Sequence, residues 1–220
     1  MKPLNRYIDH TLLHPTASPE DIVTLCDEAK DYDFYAVCVN SCYVYLAAKE
    51  LRKTGVKIAS TVGFPLGAAS TKSKVAEARK AVKDGADEID MVLNIGFLKA
   101  ELHKNVKEDI EAVKKEIGKK TLKVILETCY LSDEEKKIAC LIAEKAGADY
   151  VKTSTGFGIG GATQEDVKLM QSSIGQSMKI KASGGISTAD DAYDYIKLGA
   201  ERIGTSKGIH LMQSINKQEP

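Results

Sequence analysis

The sequence predicts an α/β fold, a single (β/α)8 barrel of the TIM type, from its alternation, its length and an internal repeat. Short β-rich apolar runs alternate with longer segments of helical period, which is the pattern of parallel strands joined by crossover helices. Eight such units in 220 residues leave about 27 residues for each, close to the lower size limit of this barrel. An open doubly wound sheet also alternates, but it usually needs fewer strands at this length.

The eight predicted strands share short runs of apolar residues. In chain order they are Tyr7–His10, Ala36–Val39, Lys57–Val62, Glu88–Leu93, Thr121–Leu126, Tyr150–Lys152, Lys179–Ala182 and Arg202–Gly204. About eight helices lie between them, and three begin with clear signals at Ser18, Ser132 and Thr163, each followed by acidic residues. No linker or compositional step divides the chain, so residues 1–220 are expected to form one domain.

A glycine-alanine-acid repeat supports the barrel. In each copy the glycine is expected to end a helix in the left-handed conformation, and the acid leads into a strand. The copies start 62 and 52 residues apart, about two βα units, so they open the fourth, sixth and eighth strands. The residues five positions after each glycine then lie at a similar height near the barrel mouth. The copies are Gly85-Ala86-Asp87, Gly147-Ala148-Asp149 and Gly199-Ala200-Glu201, and the residues are Asp90, Lys152 and Gly204.

Composition excludes several classes of protein. The chain has 31 Lys+Arg and 31 Asp+Glu, so no net field draws it to nucleic acid or to an anionic membrane. The longest uncharged stretch, Phe34–Ala48, is too short and too polar to span a bilayer, and the first residues lack an apolar signal core. Five cysteines and four histidines show no metal-ligand or disulfide spacing. A cytoplasmic protein without a metal is therefore expected.

Two lysines, Lys152 and Lys181, end the sixth and seventh predicted strands. Barrel enzymes keep their chemistry at the carboxyl ends of the strands. Neighbouring strands lie about 4.8 Å apart, so repulsion and desolvation both favour the neutral amine. A lysine with a lowered pKa is a nucleophile toward carbonyls. The alternative for each lysine is a salt-bridged or snorkelling side chain.

Two acids are placed to serve these lysines. Asp90 lies between Ile89 and Met91, and it is expected to point into the barrel, where a buried carboxylate needs a cationic partner. Its pairing with Lys152 or Lys181 is compatible with a proton relay and with a plain ion pair. Asp9, in the first strand, is interpreted as an orienting group or as a structural acid.

Glycine-rich turns follow the last two predicted strands, at Ser183–Ser187 and Gly204–Lys207. Backbone N–H groups ahead of a helix bind phosphate, and barrels often place a phosphate site here, although a tight turn without ligand is the alternative. Gly156–Gly161 also matches GxGxxG. Because Lys181 stands where a dinucleotide fold needs an acid, this run is interpreted as a mobile loop over the active site.

At these residues the sequence resembles the deoxyribose-phosphate aldolases, a family of class I aldolases that form Schiff bases. The resemblance covers nearly the whole chain, and the KTSTGF and KASGGI segments in this order are specific to it. The matching segments are Asp9-His10-Thr11, Val37-Cys38-Val39, Gly63-Phe64-Pro65-Leu66-Gly67, Glu88-Ile89-Asp90, Val151–Phe157, Lys181–Gly185 and Arg202–Ser206.

The resemblance implies a lyase that reversibly cleaves 2-deoxy-D-ribose 5-phosphate to acetaldehyde and D-glyceraldehyde 3-phosphate without a cofactor. It implies that Lys152 forms the Schiff base, that Lys181 lowers its pKa and transfers protons, and that Asp90 completes a relay. Cleavage is expected between C3 and C4 of the open-chain sugar. The partners implied are sugar phosphates and aldehydes, with a homodimer or homotetramer as the assembly. The phosphate would be held by Gly184, Gly185, Gly204 and Ser206.

Two departures from the family pattern bear on these expectations. Lys207 stands where members commonly have a second serine, so substrate specificity is expected to differ. The chain ends at Asn216–Pro220 without the terminal tyrosine of some members, which predicts slower proton transfer to the enamine if that tail matters.

Two rival functions use the same barrel. A sugar-phosphate isomerase would use a carboxylate such as Glu127 as general base and form no covalent intermediate. A non-catalytic sugar-phosphate-binding protein would use the two lysines only to attract anions. Neither rival explains why two lysines lie on adjacent strand ends.

Overall fold

Strands and helices alternate as the sequence predicts. In the computed structural model, which describes residues 2–215, eight parallel strands pair in chain order and the first closes on the last. This closed barrel confirms the predicted fold class. The strands are β1 (Ile8–Leu12), β2 (Ala36–Val39), β3 (Lys57–Val62), β4 (Glu88–Val92), β5 (Thr121–Ile125), β6 (Tyr150–Lys152), β7 (Lys179–Ser183) and β8 (Ala200–Thr205).

The described residues hold nine α-helices, one more than eight βα units require. The additional one is α4, a short helix after β4, where the side chain of Asn94 accepts a hydrogen bond from the backbone N–H of Phe97 at 3.0 Å. The helices are α1 (Pro19–Asp31), α2 (Val44–Glu50), α3 (Thr71–Asp84), α4 (Ile95–Lys99), α5 (His103–Ile117), α6 (Asp133–Lys145), α7 (Gln164–Ser173), α8 (Ala189–Lys197) and α9 (Gly208–Ile215). Short 3-10 turns cover Leu4–Tyr7, Ser41–Tyr43 and Thr128–Tyr130.

The predicted helix signals are present. Ser18 and Ser132 each form a capping box with the acidic residue three positions later, and the hydroxyl of Thr163 accepts from the backbone N–H of Asp166. Each repeat glycine is left-handed, with φ of 117° at Gly85, 81° at Gly147 and 103° at Gly199. Each follows a helix and precedes a strand, as predicted.

Several predicted strand ends were wrong, most clearly in the two strands that close the barrel. Tyr7 lies in a 3-10 turn, and β1 runs on to Leu12 because Thr11 and Leu12 pair with β2. β8 begins at Ala200, which pairs with β7, and ends at Thr205, which pairs with β1. Strand pairing between distant segments therefore sets these ends, and local propensity does not reveal it.

The outer and inner faces of the barrel differ in chemistry. Outward side chains such as Ile8, Ile89 and Val124 belong to a large apolar core shared with the helices. Inward positions on β4 to β8 and β1 carry buried charged side chains, where barrels of this type usually pack bulky apolar residues. On β2 and β3 the inward residues are small, Cys38 and Ala59. Among residues 2–215, no helix has both the length and the hydropathy that a bilayer crossing requires.

Candidate active site

Lys152 and Lys181 lie directly opposite each other in the β6–β7 register. Both side chains point into the barrel and are buried, with relative exposures of 2% for Lys152 and 0% for Lys181. The short strand β6 places Lys152 at its last residue, and β7 continues for two residues beyond Lys181. The predicted juxtaposition of the two lysines is confirmed.

Asp90 joins the two lysines. One of its carboxylate oxygens, Oδ2, lies 2.9 Å from Lys152 Nζ and 2.8 Å from Lys181 Nζ. Asp9 forms an ion pair with Lys181 from the other side. The sequence allowed either lysine as the partner of Asp90, and the structure shows that one carboxylate oxygen serves both.

Three further charged residues complete the group, and the sequence reasoning missed all three. Lys123 Nζ lies 2.7 Å from Asp90 Oδ1 and 2.6 Å from Glu88 Oε2. Arg202 Nη1 lies 2.7 Å from Asp9 Oδ1, and both terminal nitrogens of Arg202 lie 3.0 Å from the carboxylate of Glu88. We call this set the interior charge cluster; it consists of Asp9, Glu88, Asp90, Lys123, Lys152, Lys181 and Arg202.

A signal for the missed residues is present in the sequence. Lys123 stands between Leu122 and Val124, and Glu88 stands two positions before Asp90 within the same strand. A charged residue that alternates with apolar ones in a strand whose outer face is buried must point into the barrel. These inward positions lie one layer of side chains below the carboxyl ends of the strands, and an inspection of the strand ends alone does not include them.

Both aspartates of the cluster are held ionised. Burial alone would raise the pKa of Asp9, but the charges of Arg202, Lys181 and Lys123 outweigh it, and the pKa lies below its ordinary value. Burial also raises the pKa of Asp90, but the charges of Lys123, Lys152 and Lys181 lower it by more. The net pKa of Asp90 lies well below its ordinary range. Asp9 and Asp90 are therefore carboxylates at any physiological pH.

Lys181 is held as a cation by two carboxylates. Burial does lower its pKa, but contact with Asp9 and Asp90 more than reverses that effect and raises the pKa above the ordinary value for lysine. Repulsion between two buried lysines favours a neutral amine on one of them, and the contacts of Lys181 with Asp9 and Asp90 show that it is not Lys181.

A cavity of about 390 Å³ opens above the cluster at the carboxyl ends of the strands. Within the cluster, only Lys152 contributes to the lining of this cavity. The four residues expected to hold phosphate, Gly184, Gly185, Gly204 and Ser206, line the same cavity. A larger groove of about 620 Å³ lies between α6 and α7 and contains no residue of the cluster.

The two glycine-rich segments differ from each other. Gly184 and Gly185 form a turn with φ of 92° and 80°, a conformation that favours glycine. Gly204 and Thr205 instead belong to β8, so only Ser206 and Lys207 lie between that strand and α9, which corrects the predicted turn. A Cβ atom at Gly204 would lie 3.0 Å from Lys181 Cε. This glycine therefore makes room for the Lys181 side chain.

The Gly156–Gly161 loop lies over the cavity, where Gly156 and Phe157 form part of the lining. The Phe157 ring meets the Phe64 ring edge to face at a centroid distance of 5.3 Å. The mobility of this loop stays a prediction. Glu127 accepts a hydrogen bond from the Thr155 backbone N–H at 3.2 Å and another from the Thr155 hydroxyl. This carboxylate holds the loop and does not line the cavity, so the geometry does not favour it as an isomerase base.

The two departures from the family pattern differ in what the structure shows of them. Lys207 lines the cavity, and its backbone N–H donates to the Thr205 hydroxyl at 3.0 Å. No carboxylate pairs with Lys207 among residues 2–215. The tail at Asn216–Pro220 lies outside the described residues, so the expected effect of its missing tyrosine stays a prediction.

Comparisons with known proteins point to one family. A family model described as "DeoC/LacD family aldolase" matches residues 5–214. A curated deoxyribose-phosphate aldolase from Finegoldia magna is 55% identical over 210 residues, which cover 96% of this chain and 99% of that relative. The enzyme of the same name from Thermococcus gammatolerans is 56% identical over 218 residues, covering 97% of each chain.

Solved structures agree with the sequence matches. The deoxyribose phosphate aldolase of Aeropyrum pernix, described as tetrameric, superposes with a TM-score of 0.88 at 34% identity. The superposition covers 97% of this chain and 91% of that chain. With the family model matching nearly the full length and relatives above 50% identity, this chain belongs to the DeoC/LacD family of aldolases.

Proposed function

We propose that this chain is a class I aldolase that reversibly cleaves 2-deoxy-D-ribose 5-phosphate to acetaldehyde and D-glyceraldehyde 3-phosphate through an imine on Lys152. The observation that carries the assignment of Lys152 is its place in the cluster: it is the cluster amine that borders the 390 Å³ cavity. A substrate carbonyl that enters the cavity meets this amine first. The other cations of the cluster lie below it and are occupied by carboxylates.

The first step is covalent. The free amine of Lys152 attacks C1 of the open-chain sugar, and loss of the C1 oxygen as water leaves a protonated imine. Lys152 Nζ lies 2.9 Å from Asp90 Oδ2. The Asp90 carboxylate is therefore close enough to stabilise the positively charged imine nitrogen and to exchange a proton with it.

Carbon–carbon cleavage follows at C2–C3. The expectation of C3–C4 cleavage was wrong, because acetaldehyde takes C1 and C2 and glyceraldehyde 3-phosphate takes C3 to C5. A base removes the proton of the C3 hydroxyl, the C3 oxygen becomes the new carbonyl, and the electron pair of the C2–C3 bond moves into the imine. The product that stays on Lys152 is an enamine. Protonation of the enamine at C2 and hydrolysis then release acetaldehyde.

The cluster supplies the proton transfers. Asp90, held as a carboxylate, is the base of the relay, and Lys181, held as an ammonium, is the acid, which lies 2.8 Å from Asp90 Oδ2. Asp9 is a positioning residue, since it pairs with Lys181 and with Arg202 and fixes the Lys181 ammonium beside Asp90. A carboxylate next to an ammonium group gives the site both a proton acceptor and a proton donor, and one catalytic cycle needs both.

The phosphate end of the substrate would lie at Gly184, Gly185, Gly204 and Ser206. These residues share the cavity with Lys152, and backbone N–H groups in a left-handed glycine turn are suited to bind an anion. Lys207, just before α9, adds a cation to the lining of the same cavity. None of the described residues that line the cavity is a carboxylate, which suits an anionic substrate.

The remaining expectations concern assembly and surroundings. We infer a cytoplasmic homodimer or homotetramer that acts on sugar phosphates and aldehydes without metal or cofactor and does not bind nucleic acid or membranes. The tetramer described for the Aeropyrum pernix relative supports self-association.

Borohydride trapping tests the assignment. Incubation with acetaldehyde and sodium borohydride should reduce the imine and add one ethyl group to Lys152, which peptide mass spectrometry locates. The matched control is Lys152→Arg, which keeps the positive charge but forms no imine, and which should neither be labelled nor cleave the substrate. Absence of label on Lys152, or full activity in Lys152→Arg, would overturn the proposal.

A second variant tests the relay. Lys181→Leu should fold, because Asp9 keeps Arg202 and Asp90 keeps Lys123 and Lys152 as partners. It should trap acetaldehyde more slowly near neutral pH and cleave the sugar phosphate poorly. Unchanged activity would remove Lys181 from the mechanism.

A further inference from the structure

The interior charge cluster has an unequal number of charges. It contains four cations, Lys123, Lys152, Lys181 and Arg202, and three carboxylates, Asp9, Glu88 and Asp90. All seven side chains are at most 5% exposed. With every group ionised, the barrel interior would hold one surplus positive charge, which is costly in a buried site.

The cations are not equivalent in their partners. Lys123 contacts Asp90 and Glu88, Lys181 contacts Asp9 and Asp90, and Arg202 contacts Asp9 and Glu88. Each of these three contacts at least two carboxylates, and Lys123 Nζ also lies 3.9 Å from Asp9 Oδ2. Among the carboxylates of residues 2–215, Lys152 pairs with Asp90 alone, at 2.9 Å, and Asp90 is already shared with Lys123 and Lys181.

We propose, building on the function proposed above, that Glu88, Lys123 and Arg202 are positioning residues whose charges make Lys152 the cation that gives up its proton. Loss of a proton from Lys152 weakens one ion pair and leaves three cations facing three carboxylates. Loss from Lys123 would weaken three pairs and loss from Lys181 two, and a guanidinium such as Arg202 does not deprotonate in proteins. Imine formation requires a neutral amine. The excess of one cation over the carboxylates of the cluster therefore favours Lys152 as that amine.

The charge balance around Lys152 involves residues on every strand from β4 to β8 and on β1. Burial lowers the pKa of Lys123, but Asp90 and Glu88 raise it above its ordinary value, so Lys123 keeps its proton like Lys181. Glu88 is central to this charge balance. Its carboxylate forms ion pairs with both Lys123 and Arg202 and does not contact Lys152 or Lys181.

Other titratable groups around the cluster do not alter the count. The Cys38 thiol faces Asp90 from β2 at 4.0 Å, and burial raises its pKa. Burial also raises the pKa of Tyr150 on β6, against the opposing effect of Arg202. Both groups are thus neutral at pH 7. The centroid of the Tyr35 ring lies 3.6 Å from the Arg202 guanidinium carbon, and His14 and Lys207 line the cavity above the cluster.

The proposal predicts shifts of opposite sign in the pH dependence of imine trapping. Glu88→Gln removes a negative charge and nearly preserves shape, so the rise of trapping rate with pH should move about one to two units to lower pH. Lys123→Met removes a positive charge, so the same rise should move to higher pH by a similar amount. The double variant Glu88→Gln/Lys123→Met restores one surplus cation and should return close to the wild-type profile.

Glu88→Asp is the matched control, because it keeps the charge and changes the shape. It should leave the profile near that of the wild type, whereas a purely structural role predicts that Asp perturbs trapping as much as Gln. Circular dichroism and thermal unfolding identify variants that do not fold, and either single variant together with the wild type still tests the sign.

The measured quantity is the rate at which borohydride and acetaldehyde label Lys152 between pH 5 and pH 10. Shifts in the same direction, or no shift in a folded variant, would overturn the charge-count inference while leaving the Schiff-base function intact. Absence of label on wild-type Lys152 at every pH would instead overturn the proposed function itself.

Discussion

Two buried lysine–aspartate pairs in this molecule look alike and differ in what surrounds them. Lys74 Nζ, on α3, lies 2.6 Å from Asp109 Oδ2 on α5, outside the barrel. Lys152 Nζ lies 2.9 Å from Asp90 Oδ2 inside it. All four side chains are at most 3% exposed. By distance and burial alone, neither pair would be singled out as functional.

The difference lies in how the carboxylates are shared. Asp109 pairs with Lys74, which also donates to the backbone oxygen of Val92 at 2.9 Å, and this pair has equal numbers of charges. Asp90 serves Lys152, Lys181 and Lys123 together. A buried pair of equal charges stabilises helix packing, whereas a carboxylate shared among several cations leaves one of them free to react.

The largest effect should come from Lys152→Met. Removal of the amine should lower the rate of sugar-phosphate cleavage by about 10⁴-fold or more, equal to about 5.5 kcal/mol of transition-state free energy. The unfolding free energy should change little, because Asp90 keeps Lys123 and Lys181 as partners. Steady-state assays of glyceraldehyde 3-phosphate release and urea unfolding measure the two quantities. Loss of stability with retained activity would reverse the contrast.

Lys74→Met should show the opposite pattern. It leaves Asp109 buried without its cation, so the unfolding free energy should fall by about 3–5 kcal/mol, while the folded enzyme keeps its cleavage rate. The control is Lys74→Met/Asp109→Leu, which removes both charges and should recover most of the lost stability. Urea unfolding of the three proteins tests this. A marked fall in turnover of folded Lys74→Met would show that this pair also acts on the site.

The smallest effect concerns stability in acid. Because the folded pKa values of Asp9 and Asp90 lie below the unfolded values, the stabilisation from these carboxylates is complete above about pH 5 and is lost as the pH falls. Each contributes a slope of up to about 1.4 kcal/mol per pH unit below the unfolded pKa. Asp9→Asn should flatten the decline of unfolding free energy between pH 5 and pH 2. An identical slope in wild type and variant would contradict the assignment of Asp9 as a held carboxylate.

Much of the architecture could be predicted from the sequence, because it depends on local patterns. Capping residues at Ser18 and Ser132 and the glycine that ends each repeat act within a few residues of themselves. The juxtaposition of Lys152 and Lys181 also followed, since consecutive parallel strands pair and the carboxyl end of each could be located.

The charge state of Lys181 could not be predicted in the same way. It depends on Asp9, 172 positions away in the chain, and on Asp90, 91 positions away, and on the exact distances to both. The sequence suggested repulsion between two lysines, and only the closure of β1 onto β8 brings the second carboxylate into place. Strand ends such as those of β8 depend on the same non-local pairing.

One backbone contact joins two loops at the mouth of the barrel. The loops after β6 and β7 meet at two glycines, where Ala162 N–H donates to the Gly184 carbonyl at 3.0 Å and a Cβ atom at Gly161 would lie 2.3 Å from that oxygen. This hydrogen bond and close backbone contact hold the loop that follows Lys152 against the turn proposed to bind phosphate. In the proposed function, this contact sets the distance between Lys152 and the turn proposed to bind phosphate. A sugar phosphate one carbon longer or shorter is therefore expected to react more slowly, because it would not fit both ends of the proposed site.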